Sequence, residues 1–328
     1  MIDGDVHTAA RVRGGRVLAD ASLSVEELRA LLRGVGVSVE RLAGTPGGDD
    51  VVALVAWERP VGAAELARLP RLQLVLTPSV GHDHLDLDAA RRHGGVYVCH
   101  VPDYCVDEMA DSALAHLLAL MRGIVALDRS VRAGRWDAGA AGPLRRIRGT
   151  RLGIVGFGRI GAALAPRARA LGFEVWATDP GAPAERMAAA GVRPCGLDEL
   201  LAACEVVSLH APLTAETEGL IGAAEIARLP RGGLLVNVSR GGLVDTEAVL
   251  AALESGRLAG AALDVLPVEP PTPERPAPRA ETLTVTPHAA YRSPEAEAEL
   301  HRRVAAAIQA VLEGRAPEGA LVTPRGSA

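Results

Sequence analysis

The strongest constraint on this chain is a glycine cluster, Gly156-Phe157-Gly158-Arg159-Ile160-Gly161, set between an apolar run and a helical one. Leu152–Val155 has the short continuous apolar character of a buried strand. Arg159–Leu171 has helical spacing and stops at Gly172, a residue suited to ending a helix. The pattern G-x-G-x-x-G is weak alone, but between a strand and a helix it marks a turn that cradles a dinucleotide pyrophosphate. Gly156 permits the tight turn, Gly158 lets the phosphates approach the backbone, and Gly161 lets helix and strand pack closely. The helix start, at Arg159 and Ile160, presents N–H donors and the positive end of the helix dipole. Asp179 closes the next expected strand, Glu174–Thr178, about 20 residues further on. Its carboxylate would accept hydrogen bonds from both ribose hydroxyls and repel a 2′-phosphate, so NAD is expected over NADP.

The alternation continues on both sides of this cluster. Val51–Val55 and Leu74–Leu76 form strands, preceded by a helix over Ser24–Leu32. Further strands are expected at Val206–Leu209, Leu234–Val238, Ala261–Leu263 and Leu283–Thr286. Asp245 caps a helix running to Ser255, and Ser293-Pro294 opens a long one that reaches Glu313. Asp107–Arg122 carries Ala110, Ala113, Leu114, Leu117, Leu118 and Met121 at helical spacing, apolar over much of its surface. Such a helix is buried in a core or at a subunit interface, and the Gly- and Arg-rich stretch after it, 134–149, reads as an arm or loop. Strands alternating with helices give an α/β fold with parallel sheets. At 328 residues the chain suits two domains.

Composition excludes several classes. The net charge is −5, with no basic stripe interleaved with aromatics, so no nucleic-acid partner is expected. No apolar run approaches the roughly 20 residues of a membrane helix. Met1–Asp5 lacks the features of a secretory signal, so a cytoplasmic location is expected. Cys99, Cys105, Cys195 and Cys204 follow no metal or disulfide spacing and read as buried thiols. His82-Asp83-His84 has no evident third ligand, and no metal is expected. The chain contains no lysine, which rules out Schiff-base chemistry and leaves Arg, His and backbone N–H groups to recognise a charged substrate.

Further segments line up with the glycine cluster: Ser208-Leu209-His210-Ala211-Pro212-Leu213-Thr214, Asn237-Val238-Ser239-Arg240-Gly241-Gly242, Leu263-Asp264-Val265 and Thr286-Pro287-His288-Ala289-Ala290-Tyr291. Together they resemble the D-isomer-specific 2-hydroxyacid dehydrogenase family. Val101-Pro102-Asp103-Tyr104-Cys105 and His288–Tyr291 look like its C-terminal-binding-protein-like branch. The resemblance implies two doubly wound parallel-sheet domains, a Rossmann NAD-binding domain (102–290) inserted in a flavodoxin-like substrate domain (1–101 and 291–328). The active site would lie in the cleft between them. A homodimer would form through the long helix and the arm.

The resemblance also assigns roles. Arg240 would hold and polarise the substrate, His288 would exchange the proton, and Glu269 would orient and tune His288. These residue types suit the task. A guanidinium is always charged and forks onto a carboxylate, and an imidazole titrates near neutrality. Asp264 would bind the nicotinamide carboxamide. His210, Ala211, Pro212 and Thr217, with Val238, Ser239 and Ala290, would line the cofactor. Val80 and Gly81, in Thr77-Pro78-Ser79-Val80-Gly81, would offer backbone N–H groups to a small 2-keto or 2-hydroxy acid, with Tyr291 and the stretch Trp57-Glu58-Arg59-Pro60 as candidate walls. Glu269, where formate oxidation would want glutamine, argues against that chemistry, and the missing lysine argues against phosphite oxidation. A different class, an NAD(H)-sensing scaffold with little catalysis, stays open at this point.

Overall fold

The computed structural model describes residues 14–20, 23–57 and 59–325, so the expectations for Met1–Asp5 and Glu58 lie outside the described residues. The chain divides into two compact units, Met1–Tyr104 with Ser293–Ala328, and Cys105–Arg292.

In the first unit, strands β1 (Arg16–Ala19), β2 (Ser38–Arg41), β3 (Val51–Val55), β4 (Leu74–Thr77) and β5 (Tyr97–His100) run parallel. The second unit contributes β6 (Arg151–Val155), β7 (Glu174–Thr178), β8 (Arg193–Pro194), β9 (Val206–Leu209), β10 (Gly233–Asn237), β11 (Leu258–Leu263) and β12 (Leu283–Val285). The chain then returns to the first unit as β13 (Ala320–Val322), antiparallel to β5. The strand orders are β13-β5-β4-β3-β1-β2 and β12-β11-β10-β9-β6-β7-β8. In the second sheet the order reverses direction beside β6, whose end carries the glycine cluster. Ligands of open parallel sheets bind at such a switch point.

Both faces of the second sheet are covered. On one face helices Val106–Met121 and Arg159–Ala170 pack together, burying Ala110, Ala113, Leu117 and Met121 against Leu164, Ala165 and Ala168. Small residues let the two backbones approach, and Arg167 ties them with salt bridges to Asp107 and Asp111. The other face carries helices Leu197–Ala203, Ala223–Arg228 and Thr246–Glu254, with Leu200, Leu201, Ile226 and Val249 fully or nearly buried. Asp245 caps the last of these through Glu247 and Ala248 N–H, as its sequence suggests. Ser293 caps the long helix Pro294–Leu312 by accepting from Ala296 N–H, with Pro294 in the first turn.

Among the described residues no single helix is long and apolar enough to cross a membrane. None of the four cysteines is in a disulfide; three are buried and Cys195 is half-buried. Burial pushes the Cys99 and Cys204 thiols up to about 12, which leaves them un-ionised and unreactive near neutrality.

Gly153, in the middle of β6, shows how tightly helix and sheet meet. A Cβ there would lie 2.3 Å from Leu200 Cδ2 and 3.2 Å from Cys204 Sγ. Gly153→Ala is therefore expected to destabilise the second unit by about 1–3 kcal/mol, seen as a lowered Tm in a thermal melt. An unchanged Tm would show that Leu200 moves aside without cost.

Candidate active site

The residues expected to form the site in the second unit all follow the C-terminal ends of its parallel strands. Gly156, Gly158, Arg159, Ile160 and Gly161 follow β6, and Asp179 follows β7. His210, Ala211, Pro212 and Thr217 follow β9, and Val238, Ser239 and Arg240 follow β10. Asp264 and Glu269 follow β11, while His288, Ala290 and Tyr291 follow β12. A parallel sheet gathers these groups along one edge although they span much of the sequence.

The glycine turn fits a dinucleotide. Gly156 has φ +95°, and a Cβ on it would meet the His210 carbonyl carbon at 2.6 Å. A Cβ on Gly161 would meet the Gly156 carbonyl oxygen at 2.2 Å. Gly158, by contrast, faces open space, with nothing within 4 Å. Two glycines close the backbone on itself and the third leaves room for a phosphate. The helix that starts at Arg159 has no side-chain cap, so its dipole end is left for an anion. Asp179 accepts from Phe157 N–H at 2.7 Å and from Gly181 N–H at 2.7 Å, which fixes its carboxylate against the glycine turn.

His210 packs behind this turn. Its Nε2 lies 2.9 Å from Ser208 Oγ, and its Nδ1 is buried without a hydrogen-bond partner among the described residues. Burial pushes its pKa down to about 4, so the ring is neutral near pH 7. Thr217 turns inward on its own loop: its hydroxyl donates to the Pro212 carbonyl and accepts from Thr214 N–H. Ser239 likewise donates to the Ala211 carbonyl, linking the loops after β9 and β10.

The turn leading to Arg240 is braced by a fully buried asparagine. Asn237 accepts from Ser239 N–H at 3.0 Å and donates to the Arg240 carbonyl at 2.8 Å. Directly after it, Gly241 brings a second loop into contact. A Cβ on Gly241 would lie 2.0 Å from the Leu266 carbonyl carbon. Backbone therefore packs on backbone between the Arg240 turn and the loop that carries Glu269.

Glu269 is held on both oxygens. Oε1 accepts from Leu266 N–H at 2.5 Å, and Oε2 lies 2.7 Å from His288 Nδ1. A carboxylate accepts, so Nδ1 carries the hydrogen of this bond. The two side chains are 24% and 17% exposed, so the pair is partly shielded from water. The Tyr291 ring meets His288 edge-on, with centroids 6.3 Å apart.

His288 sits in a left-handed conformation, φ +50°, uncommon for a residue with a side chain. Asp264 stabilises it. This carboxylate, on a residue 2% exposed, accepts from Thr286 Oγ at 2.5 Å, Ala289 N–H at 3.0 Å and Ala290 N–H at 2.9 Å. Its own carbonyl accepts from His288 N–H at 2.7 Å. The Asp264 side chain is thus committed to the loop that carries His288. Sequence reading gave Thr286 no role, and it missed His116, whose Nε2 lies 3.4 Å from Thr286 Oγ and whose pKa burial lowers. Neither had a signal in the sequence, because both act through contacts formed only on folding.

A dinucleotide turn sharing one sheet edge with an imidazole–carboxylate pair defines an NAD-dependent oxidoreductase. Residues 114–290 match the family model for the NAD-binding domain of D-isomer-specific 2-hydroxyacid dehydrogenases. A glyoxylate reductase of Korarchaeum cryptofilum is 38% identical over 79% of this chain and 78% of its own length. A D-3-phosphoglycerate dehydrogenase of Archaeoglobus fulgidus is 34% identical over 83% of this chain, which spans about half of that longer relative (51%). Among solved structures, the TT0316 protein of Thermus thermophilus superposes with a TM-score of 0.82 at 35% identity, covering 94% of this chain and all of that one. The D-lactate dehydrogenase of Aquifex aeolicus, solved with NAD and lactic acid, gives 0.81 at 25% identity, covering 91% of this chain and 96% of that one. The chain belongs to the D-isomer-specific 2-hydroxyacid dehydrogenase family.

Asp264→Asn would turn an amide N–H₂ toward at least one backbone N–H that now meets an oxygen. The substitution is expected to cost about 1–3 kcal/mol and to lower turnover through the displaced His288 loop. Thermal melts and steady-state rates measure both; a fully active, equally stable variant would contradict the bracing role.

Proposed function

We propose that this protein catalyses reversible hydride transfer between NAD(H) and C2 of a small 2-keto or 2-hydroxy acid, with His288 as acid and base. The observation that carries the reading is the His288–Glu269 pair at 2.7 Å, with the second Glu269 oxygen held by backbone.

NADH, which the glycine turn Gly156–Gly161 and Asp179 would hold, would supply the hydride in the reducing direction. The Arg240 guanidinium, a fork of N–H donors, binds the substrate carboxylate and polarises its C2 carbonyl. His288 Nε2 gives its proton to the oxygen as negative charge builds on it. Glu269 steadies the imidazolium before that transfer and keeps the ring in one orientation. In the oxidising direction the neutral imidazole takes the hydroxyl proton back. Val80 and Gly81 supply backbone N–H groups to the substrate carboxylate, and Tyr291 forms a wall beside His288. His210, buried and neutral, backs the cofactor's turn without adding charge. Catalysis is favoured over an NAD(H)-sensing scaffold because the pair is intact and the relatives above carry enzyme names.

We further propose a homodimer. Ile124, Val131 and Trp136, at 56%, 49% and 93% exposure, are large apolar side chains turned to solvent on the segment that follows the long helix. Light scattering is expected to give twice the chain mass, with Trp136→Glu shifting it toward monomer; a monomeric wild type would refute the dimer.

The central test mixes purified protein with NADH and glyoxylate, pyruvate, hydroxypyruvate or 3-phosphohydroxypyruvate. At least one acid is expected to drive NADH oxidation. His288→Ala is expected to lose at least about 100-fold in kcat, the low end of what general acid–base catalysis contributes, while still binding NADH by fluorescence. Tight NADH binding without oxidation by any acid would leave the scaffold reading instead.

A further inference from the structure

The loop after β4 is held in an unusual way. Three successive carbonyls are tied back into the protein. The Ser79 carbonyl accepts from Val101 N–H at 3.0 Å. The Val80 carbonyl pairs with His100 Nδ1 at 2.8 Å, and the Gly81 carbonyl accepts from Ser79 Oγ at 2.6 Å. Thr77 Oγ, fully buried, supports Ser79 Oγ at 2.8 Å. The N–H groups of Val80 and Gly81 donate to nothing among the described residues.

These two facts are linked by peptide geometry. In a trans peptide the carbonyl of one residue and the N–H of the next point in opposite directions. Holding the Ser79 carbonyl therefore aims the Val80 N–H, and holding the Val80 carbonyl aims the Gly81 N–H. The first tie is a backbone group that no side chain can alter. The second is a side chain, His100. Since a carbonyl only accepts, His100 Nδ1 must carry the hydrogen.

His100 is itself well fixed. It ends β5, its N–H donates to the Gly319 carbonyl at 3.1 Å, and its ring meets His82 edge-on with centroids 5.1 Å apart. A Cβ on Gly319 would come within 2.2 Å of the His100 carbonyl oxygen, so the turn just before β13 packs directly on this residue.

We propose that His100 is a positioning residue for the substrate's carboxylate: its hydrogen bond to the Val80 carbonyl turns the Val80–Gly81 peptide so that both N–H groups face one anion. The inference rests on the functional reading above, which makes Val80 and Gly81 the carboxylate's donors. His100 touches neither substrate nor cofactor in this role. It acts through the peptide, so its loss weakens acid binding and spares the chemical step.

The test uses the full-length protein with NADH and glyoxylate, or the acid from the panel turned over fastest. His100→Phe keeps the ring's size and its packing on His82 but removes the donor. Its KM for the acid is expected to rise about tenfold, with kcat within about threefold and the NADH Kd unchanged. His100→Asn, whose side-chain N–H can reach the same carbonyl, is expected to recover KM to within about threefold of wild type. Should His100→Phe fold poorly by thermal melt, His100→Ala must show the same KM rise. An unchanged KM in the donor-less variants overturns the proposal. So does a His100→Asn protein as impaired as His100→Phe, or a KM rise matched by weaker NADH binding. A wild type inert toward every acid would overturn the functional reading and this inference together, whereas an active wild type with an indifferent His100 overturns only the inference.

Discussion

One buried carboxylate organises the chemistry of the second unit. Asp264 leaves the end of β11 and collects a hydroxyl and two backbone N–H groups from the loop after β12. A carboxylate in so dry a position is costly unless its oxygens are matched with donors. Here the donors come from the segment that must hold His288 at a positive φ. Solvation of the charge and local backbone strain offset each other, and the imidazole is delivered to Glu269 as a result. Remove the carboxylate and the loop has no reason to keep that shape.

The other half of the arrangement comes from glycines. At Gly156 and Gly241 loops from different strands touch backbone to backbone, so the β6 turn lies on the β9 loop and the Arg240 turn lies on the Glu269 loop. Hydrogen bonds from Asn237 and Ser239 finish the bracing. The loops that carry Arg240 and Glu269 thus stand on main chain fixed by neighbouring segments, which is what preorganisation needs.

Much of this was legible in the sequence, for identifiable reasons. Central strands hold short apolar runs, Val51–Val55 in β3, Leu152–Val155 in β6 and, but for Ser208, β9, and helix ends carry Asp245, Ser293 and Pro294 as their own markers. Strands β1, β2, β5, β8 and β13 were not named, although the edge strand β12 was. β2 buries one residue in four, β8 has two residues, and β13 pairs antiparallel at an edge, so none has a periodicity to read. The glycine turn and Asp179 could be named from motifs, and His288 and Glu269 from the resemblance to the family. The contacts of His100, Thr286 and His116 could not, because a lone histidine or threonine in a sequence carries no mark of the carbonyl or hydroxyl it will meet. The Gly- and Arg-rich stretch 134–149, expected to be an arm or loop, holds one short 3-10 turn, Ala138–Ala141.

The crowded glycines fall into two kinds with different evolutionary prospects. Gly153 is hemmed in by the side chain of Leu200, so a second change that trims Leu200 would reopen the space and restore a methyl-bearing residue there. Gly156, Gly161 and Gly241 abut carbonyl and amide atoms of other segments. No exchange of a neighbouring side chain retracts a main chain, so these sites admit no suppressor. Drift along this lineage can trade residues at the first kind of position in pairs, while the second kind stays shut to every amino acid but one.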